Sequence, residues 1–280
     1  MIKVVTDSTA DISTEEARGL DVTVVPLYVR IGERFLRDGI DISKEEFYQK
    51  LEEGALCTTS QPSPDDFIAA YKPILDKGDE IISIHISEQL SGTINSANLA
   101  KEELRTDRVT IIDSKVVTIP LLYKVRKVCE LIKDGFDREK IKEELEEFHK
   151  RVNGYFVPMD INYLIRGGRI GHLQSIVTTL LKLQFILYLK DGRIELLKIA
   201  RTKSSAVKGM VEVFKDTIRK KGGLEQVDII CGTNKEEGEE FRQMIEKETG
   251  LSVRKYSIGP VLSNHMGPRY LGIPFITKGG

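Results

Sequence analysis

This sequence has few cysteines, almost no net charge and no long unbroken apolar run, and each shortage removes a class of protein. Its three cysteines, Cys57, Cys129 and Cys231, are scattered without a CxxC pair or metal-ligand spacing. They read as buried or incidental thiols of a reducing compartment, not as a disulfide frame. A net charge of −1 excludes a large electrostatic nucleic-acid footprint. The longest apolar region, Ile176 to Leu189, is interrupted by Lys182 and Gln184 and is too short to span a bilayer. Met1 leads straight into the strand-like Ile2-Lys3-Val4-Val5-Thr6, so no signal peptide is expected and the cytoplasm is the expected location.

The familiar catalytic signatures are missing as well. No GxxxxGKS/T loop occurs, and Gly167-Gly168-Arg169 lacks the lysine and spacing of one. No GxSxG elbow surrounds Ser91, so a base to activate it would have to come from elsewhere. The four histidines, His85, His149, His172 and His265, form no HExxH or other zinc pattern, and neither a metal nor a cofactor is expected. His85 falls inside a strand-like run and reads as structural, and His149 lies on a charged helix. His265 sits in a Gly-Pro-rich stretch read as a loop, which either positions a group or merely turns the chain.

What is present suits a globular α/β chain of two domains: 280 residues, 40% hydrophobic and 30% charged. Strand-like runs at Ile2 to Thr6, Val22 to Pro26, Glu80 to Ile86 and Arg108 to Ile112 alternate with helical patterns. Helices are predicted at Thr14 to Arg18, Ser43 to Glu53, Asp65 to Lys77, from Ser91, at Ile119 to Lys133 and at Asp137 to Lys150. A hairpin about Gly32-Glu33 and a stiff, hydroxyl-rich loop from Thr58 to Pro64 interrupt them. This alternation predicts an N-terminal domain, residues 1–155, with a doubly wound parallel sheet. The remainder, residues 156–280, predicts a C-terminal α+β domain of sheet plus helices. Its signals include a helix from about Leu173 to Leu183 and a hairpin about Asp191-Gly192.

Ser91-Gly92-Thr93 follows the run Glu80 to Ile86 and opens a helix, with Ser91 where a cap should be. The first N–H groups of a helix lack intrahelical partners and carry partial positive charge. Gly92 has no side chain to keep a ligand away from them, so the corner suits a carboxylate or phosphate. An ordinary capped helix start is spelled the same way. Asp7-Ser8-Thr9, Thr59-Ser60-Gln61, Gly167-Gly168-Arg169 and Asn264-His265 are further anion-friendly stretches at predicted strand ends and corners.

Jointly, these stretches resemble the DegV family. The matching pieces run nearly end to end in order: Thr6-Asp7-Ser8-Thr9-Ala10-Asp11, Thr59-Ser60-Gln61-Pro62-Ser63-Pro64, Leu90-Ser91-Gly92-Thr93 and Asp113-Ser114-Lys115. Gly167-Gly168-Arg169-Ile170 and Ile258-Gly259-Pro260-Val261 with His265 and Gly267-Pro268 continue them. The resemblance implies a protein that binds a long-chain fatty acid and is not itself an enzyme. It implies an ATP-dependent fatty-acid kinase as partner, no nucleic acid, and leaves room for peripheral membrane contact during lipid exchange. By position it assigns Thr59, Ser91 and Gly92 to the fatty-acid carboxylate. Arg169, Arg201 and His265 match the head-group mouth or the partner contact. Two stretches depart from the family pattern. Val116-Val117-Thr118-Ile119-Pro120 stands where a serine and a glycine are usual, and Gly267-Pro268-Arg269 replaces Gly-Pro-Gly.

A fatty acid fits the physics. Each buried methylene contributes about 0.8 kcal/mol, so a dozen contribute roughly 10 kcal/mol before ordering costs. Residues able to line such a tunnel are Ile119, Leu121, Leu122, Val125, Phe156 and Ile161, with Leu164, Ile165, Leu180, Phe185, Ile186 and Leu187. Taken one at a time, each reads first as plain core. The competing expectation is a hydrolase or phosphate-handling enzyme using Ser91 with His265 and either Asp113 or Asp7.

Overall fold

A computed structural model describes residues 1–180 and 182–280. Strand β1 (Ile2–Asp7) leads through a 3₁₀ turn to α1 (Thr14–Gly19), and β2 (Val22–Val25) returns parallel to β1. The hairpin of β3 (Tyr28–Ile31) and β4 (Arg34–Arg37) turns at Gly32, whose φ is +61°. Helix α2 (Lys44–Glu52) starts at the Ser43 cap, with the Ser43 hydroxyl accepting from the Glu46 N–H.

Strand β5 (Cys57–Ser60) then pairs antiparallel with β3, which corrects the loop expected over Thr58 to Pro64. The prolines act beyond the strand. Pro64 occupies the first turn of α3 (Pro64–Leu75), closed by a Ser63–Asp66 capping box. Next come β6 (Glu80–His85), α4 (Thr93–Glu103), β7 (Val109–Asp113), α5 (Ile119–Lys133) and α6 (Arg138–Arg151).

The second part of the chain begins with β8 (Val152–Pro158), α7 (Asn162–Arg166) and α8 (Gln174–Thr179). The helix expected from Leu173 to Leu183 thus stops at Thr179, and Leu181 lies outside the described residues. Strands β9 (Gln184–Lys190) and β10 (Arg193–Ala200) flank Asp191-Gly192, both with positive φ as a tight two-residue turn requires. Then follow α9 (Lys203–Lys220), β11 (Leu224–Cys231), α10 (Lys235–Thr249) and β12 (Arg254–Tyr256). Helix α11 (Pro260–Met266) and β13 (Tyr270–Thr277) complete the chain. The Gly-Pro-rich stretch read as a loop therefore contains a helix. Pro260 sets its first turn and Gly267, at φ +83°, ends it, so the same residues that suggested a loop are its start and stop.

The first sheet, in the order β2-β1-β6-β7, is wholly parallel. Helices α3 and α4 pack Phe67, Tyr71, Ala97 and Ala100 against Val5, Ile81 and Val109 on one face. Helix α5 covers the other face at Val4, Ile82 and Ile84. The sheet is doubly wound, as expected. The six-stranded sheet runs β10-β9-β8-β13-β11-β12 and is mixed: β11 and β12 are parallel, its other pairs antiparallel. Helices α9 and α10 pack Met210, Phe214, Phe241 and Ile245 on one of its faces. Its opposite face meets α5 through Val152, Ile230 and Ile276. Helix α5 is therefore wedged between the two sheets, and the Tyr123 hydroxyl donates to Asp228 on β11 at 2.7 Å. No helix among the described residues is long and apolar enough to cross a membrane.

A third, three-stranded sheet, β4-β3-β5, stands beside these two. Its strands alternate outward and inward, so Val29 and Leu36 face the small core under α2 while Thr58 and Ser60 face solvent. Thr59, opposite Val29, faces inward with them. This alternation aims the Thr59 hydroxyl at the site.

Candidate functional site

One cavity of about 350 Å³ lies where the three sheets meet, within the size range of small-molecule sites. Its wall is mainly apolar and includes Ile86, Leu90, Val117, Ile194, Ile258 and Val261. Most of its polar residues gather at one place, Thr59, Ser60, Gln61, Ser91, Arg169 and His265, and Thr118, whose hydroxyl is spent on Asp11, lies in the wall.

Thr59 and His265 are joined directly, with Thr59 Oγ1 2.8 Å from His265 Nε2. His265 rides near the C-terminal end of α11, whose start is pinned by the Gly259 N–H donating to Asp11 at 2.6 Å. The other ring nitrogen, Nδ1, is buried without a hydrogen-bond partner. It lies against Gly167, where a Cβ would come within 2.1 Å of it, so Gly167 is the seat of the imidazole. Burial, with a smaller contribution from the Arg169 charge, pulls the His265 pKa down to about 4. The ring is neutral at neutral pH.

Ser91 does not cap α4. Gly92 does, with no side-chain cap bond, and the Ser91 hydroxyl lies 2.9 Å from the Thr93 hydroxyl. The expected cap is thus shifted by one residue, and the consequence favours a ligand. No side chain satisfies the first N–H groups of α4, which keep their positive end of the dipole. Gly92 itself is tightly covered on its other side, for a Cβ there would fall 2.2 Å from Gln61 Oε1. Gly92 lines a neighbouring polar cleft with Ser91 and Arg169, not the apolar cavity.

Arg169 bridges two elements, donating to the Gly167 carbonyl at 2.7 Å and to the Leu90 carbonyl at 3.3 Å. Its guanidinium makes no ion pair with a described carboxylate. Arg201 is exposed between β10 and α9 and lines neither the cavity nor the cleft.

The hydrolase arrangement is not assembled. His265 is bonded to Thr59, Asp7 accepts from His85 Nδ1 at 3.0 Å and from the Ile86 N–H, and Asp113 accepts from the Lys115 N–H. His85 passes its other nitrogen to Ser83, which meets Tyr71, so that buried chain braces β6. Among the described residues no cluster of three or more His, Cys, Asp or Glu could hold a metal ion.

The tunnel residues read from the sequence need correction. Phe156 and Leu164 line the cavity, whereas Ile119, Leu121, Leu122 and Val125 are core beneath α5. Ile161, Ile165, Leu180, Phe185 and Leu187 belong to the core under β9 and β10, and Ile186 to the core under α9. Apolarity marks burial and cannot say which buried face borders a void. The wall is completed by Val117, Thr118 and Pro120, from the very stretch that departs from the family pattern. Thr118 is held at φ +55°, ψ −135°, a costly conformation for a β-branched residue, by hydrogen bonds to Asp11 and the Thr9 carbonyl. Gln61 and Gly167 were legible only as members of anion-friendly stretches.

Residues 1–278 match the family described as "Uncharacterised protein, DegV family". A DegV domain-containing protein of Staphylococcus aureus is 34% identical over 284 residues, covering 98% of each chain. Among solved structures, a fatty-acid-binding DegV family protein from Thermus thermophilus is 33% identical, with a TM-score of 0.88 and 99% of each chain covered. A fatty-acid-binding DegV from Bacillus subtilis is 31% identical, with a TM-score of 0.89 over 99% of each chain. A stearic-acid-binding protein from Eubacterium ventriosum is 29% identical, with a TM-score of 0.91 over the same share.

Proposed function

The chain belongs to the DegV family, and on that premise we propose that it binds a long-chain fatty acid in the cavity and presents its carboxylate to a separate, ATP-dependent fatty-acid kinase. The observation that carries this reading is the cavity's asymmetry. An apolar wall ends at one cluster of polar groups, beside a helix N-terminus left without a side-chain cap. A carboxylate with a long tail has the same asymmetry. Fatty-acid binding by solved relatives supports it.

In this reading Thr59, Ser91 and Gly92 hold the carboxylate, the first two by hydroxyl and the third through the backbone at the α4 start. In the tautomer with its proton on Nε2, His265 donates to Thr59 Oγ1 and frees the Thr59 O–H for the ligand. Arg169 supplies positive charge at the mouth. Arg201, outside the cavity, is a partner contact. Two domains enclose the acyl chain, residues 1–155 and 156–280 as read from the sequence. The boundary moves back to the start of β8, so that this strand stays whole in the six-stranded sheet. The protein acts in the cytoplasm, performs no catalysis of its own, and meets membranes only peripherally for lipid exchange.

The test is lipid extraction from protein purified from cells, read by mass spectrometry, with an esterase assay alongside. Near-stoichiometric fatty acid is expected. An empty protein whose ester turnover disappears in Ser91→Ala would overturn the reading in favour of the hydrolase. With a cognate kinase, Arg201→Ala and His265→Ala should retain lipid yet lose acyl-phosphate formation. Lipid loss in both would move those residues into the primary site.

A further inference from the structure

A glycine opposite a proline is a poor cross-strand pair, and the cavity wall contains one: Gly154 on β8 is in register with Pro274 on β13. Proline brings no N–H to the ladder and glycine no side chain to pack, so both are normally kept to edges and bulges. Neither strand is an edge, since β8 lies between β9 and β13, and β13 between β8 and β11. The pairing of β8 with β9 begins only at Tyr155, however, and that of β13 with β11 skips Ile273 and Pro274, so both residues sit at gaps in the ladder. Rules of local structure are broken where the space serves something else. Beside Gly154 stands a second proline ring, Pro120 in the first turn of α5.

The space around Gly154 is specific. A Cβ there would meet Pro120 Cγ at 3.4 Å and Pro274 Cα at 3.8 Å, ordinary contact distances. A methyl group therefore fits, and the atoms of a longer side chain would extend into the cavity. Neither proline can rotate away, because each ring is closed onto its own backbone. Pro120, Pro274 and neighbouring Ile230 are buried, Gly154 is half-buried, and no atom of the polar cluster lies within 4 Å of the place a Gly154 Cβ would take, which sets this group of wall residues apart from the cluster.

We infer that Gly154, set between the rings of Pro120 and Pro274, determines the length of acyl chain the cavity accepts. The inference rests on the fatty-acid reading of the same cavity. Side-chain bulk at residue 154 shortens the accepted chain, and removal of the Pro120 ring lengthens it. Each methylene that no longer fits lowers relative affinity roughly 10–200-fold.

The experiment compares the parent with Gly154→Val and Pro120→Ala. Each is delipidated, offered an equimolar mixture of even saturated fatty acids from twelve to eighteen carbons, repurified and extracted for mass spectrometry. Gly154→Val should shift the bound profile to shorter acids and Pro120→Ala to longer ones. A loaded parent with Pro120→Ala and any folded Gly154→Val unchanged in profile would overturn this inference alone. If Gly154→Val does not fold, the Pro120→Ala profile decides by itself. A parent that takes up no fatty acid would overturn the proposed function, and this inference with it.

Discussion

Thr59 Oγ1 and His265 Nε2 meet at 2.8 Å although 206 residues separate them. The contact joins the three-stranded sheet to α11, and it exists because strand alternation turns Thr59 inward while Gly167 leaves room for the imidazole. A threonine so placed can pass one hydrogen bond to a ligand while receiving another from the ring. Thr59→Val keeps the shape and deletes both. A hydrogen bond to a charged group contributes about 1.5–3 kcal/mol, so fatty-acid affinity should fall roughly 10- to 150-fold. Titration with a fluorescent fatty acid measures this, and Thr59→Ser should restore most of the loss. Unchanged affinity in Thr59→Val would place the carboxylate elsewhere.

The tip of the β9–β10 hairpin rests on the corner between β6 and α4. The Ser87 hydroxyl donates to the Gly192 carbonyl at 2.9 Å, and a Cβ on Gly192 would lie 2.2 Å from that hydroxyl. Gly192 also holds φ +80°. Gly192→Ala therefore meets a strained backbone and a clash at once, for which about 2–3 kcal/mol of destabilisation is expected. At 2–4 °C per kcal/mol the melting temperature should drop by roughly 4–12 °C. A melting curve superimposable on the parent's would show that this contact does not hold the hairpin.

The order of strands and helices was legible because its signals are local. Alternation over Thr58 to Ser60 was hidden by the hydroxyl residues and prolines, which suggested a loop; pairing with β3, a tertiary fact, makes it a strand. Likewise Gly259, Pro260 and Gly267 punctuate α11 in the same letters that spell a turn. Thr59, Ser91, Arg169 and His265 line one cavity, which their spacing along the chain could not reveal. The apolar wall of the cavity was largely illegible, because a leucine packed on leucine and one bordering a void look identical in sequence. Gly154 and Pro274, a glycine and a proline inside predicted strands, lie in that wall, and neither was marked as a wall residue by its place in the sequence.

Asp38 offers a test of the frame that holds α11. Burial pushes its carboxyl up to about 7; the Ser8 hydroxyl, Lys44 and the Val261 N–H pull it down, and the Asp11 charge pushes it further up. Below about pH 4 the carboxyl is protonated both folded and unfolded, since the free value is near 3.9. Between pH 4 and 7 the folded state holds a proton that the unfolded state releases, so stability from this group is lost as pH rises through that range. Asp38→Asn keeps an oxygen for the Ser8 hydroxyl and removes the titration. Its stability relative to the parent should grow from pH 4 to 7 by on the order of 2–4 kcal/mol and then level off. His149 and His265, both drawn down to about 4 by burial, change stability in the opposite sense. They are present in both proteins and cancel in the difference. Urea midpoints at half-unit pH steps measure it. A difference that stays flat from pH 4 to 8 would mean that Asp38 is ionised in the folded protein and that its bond with Ser8 is a charged one.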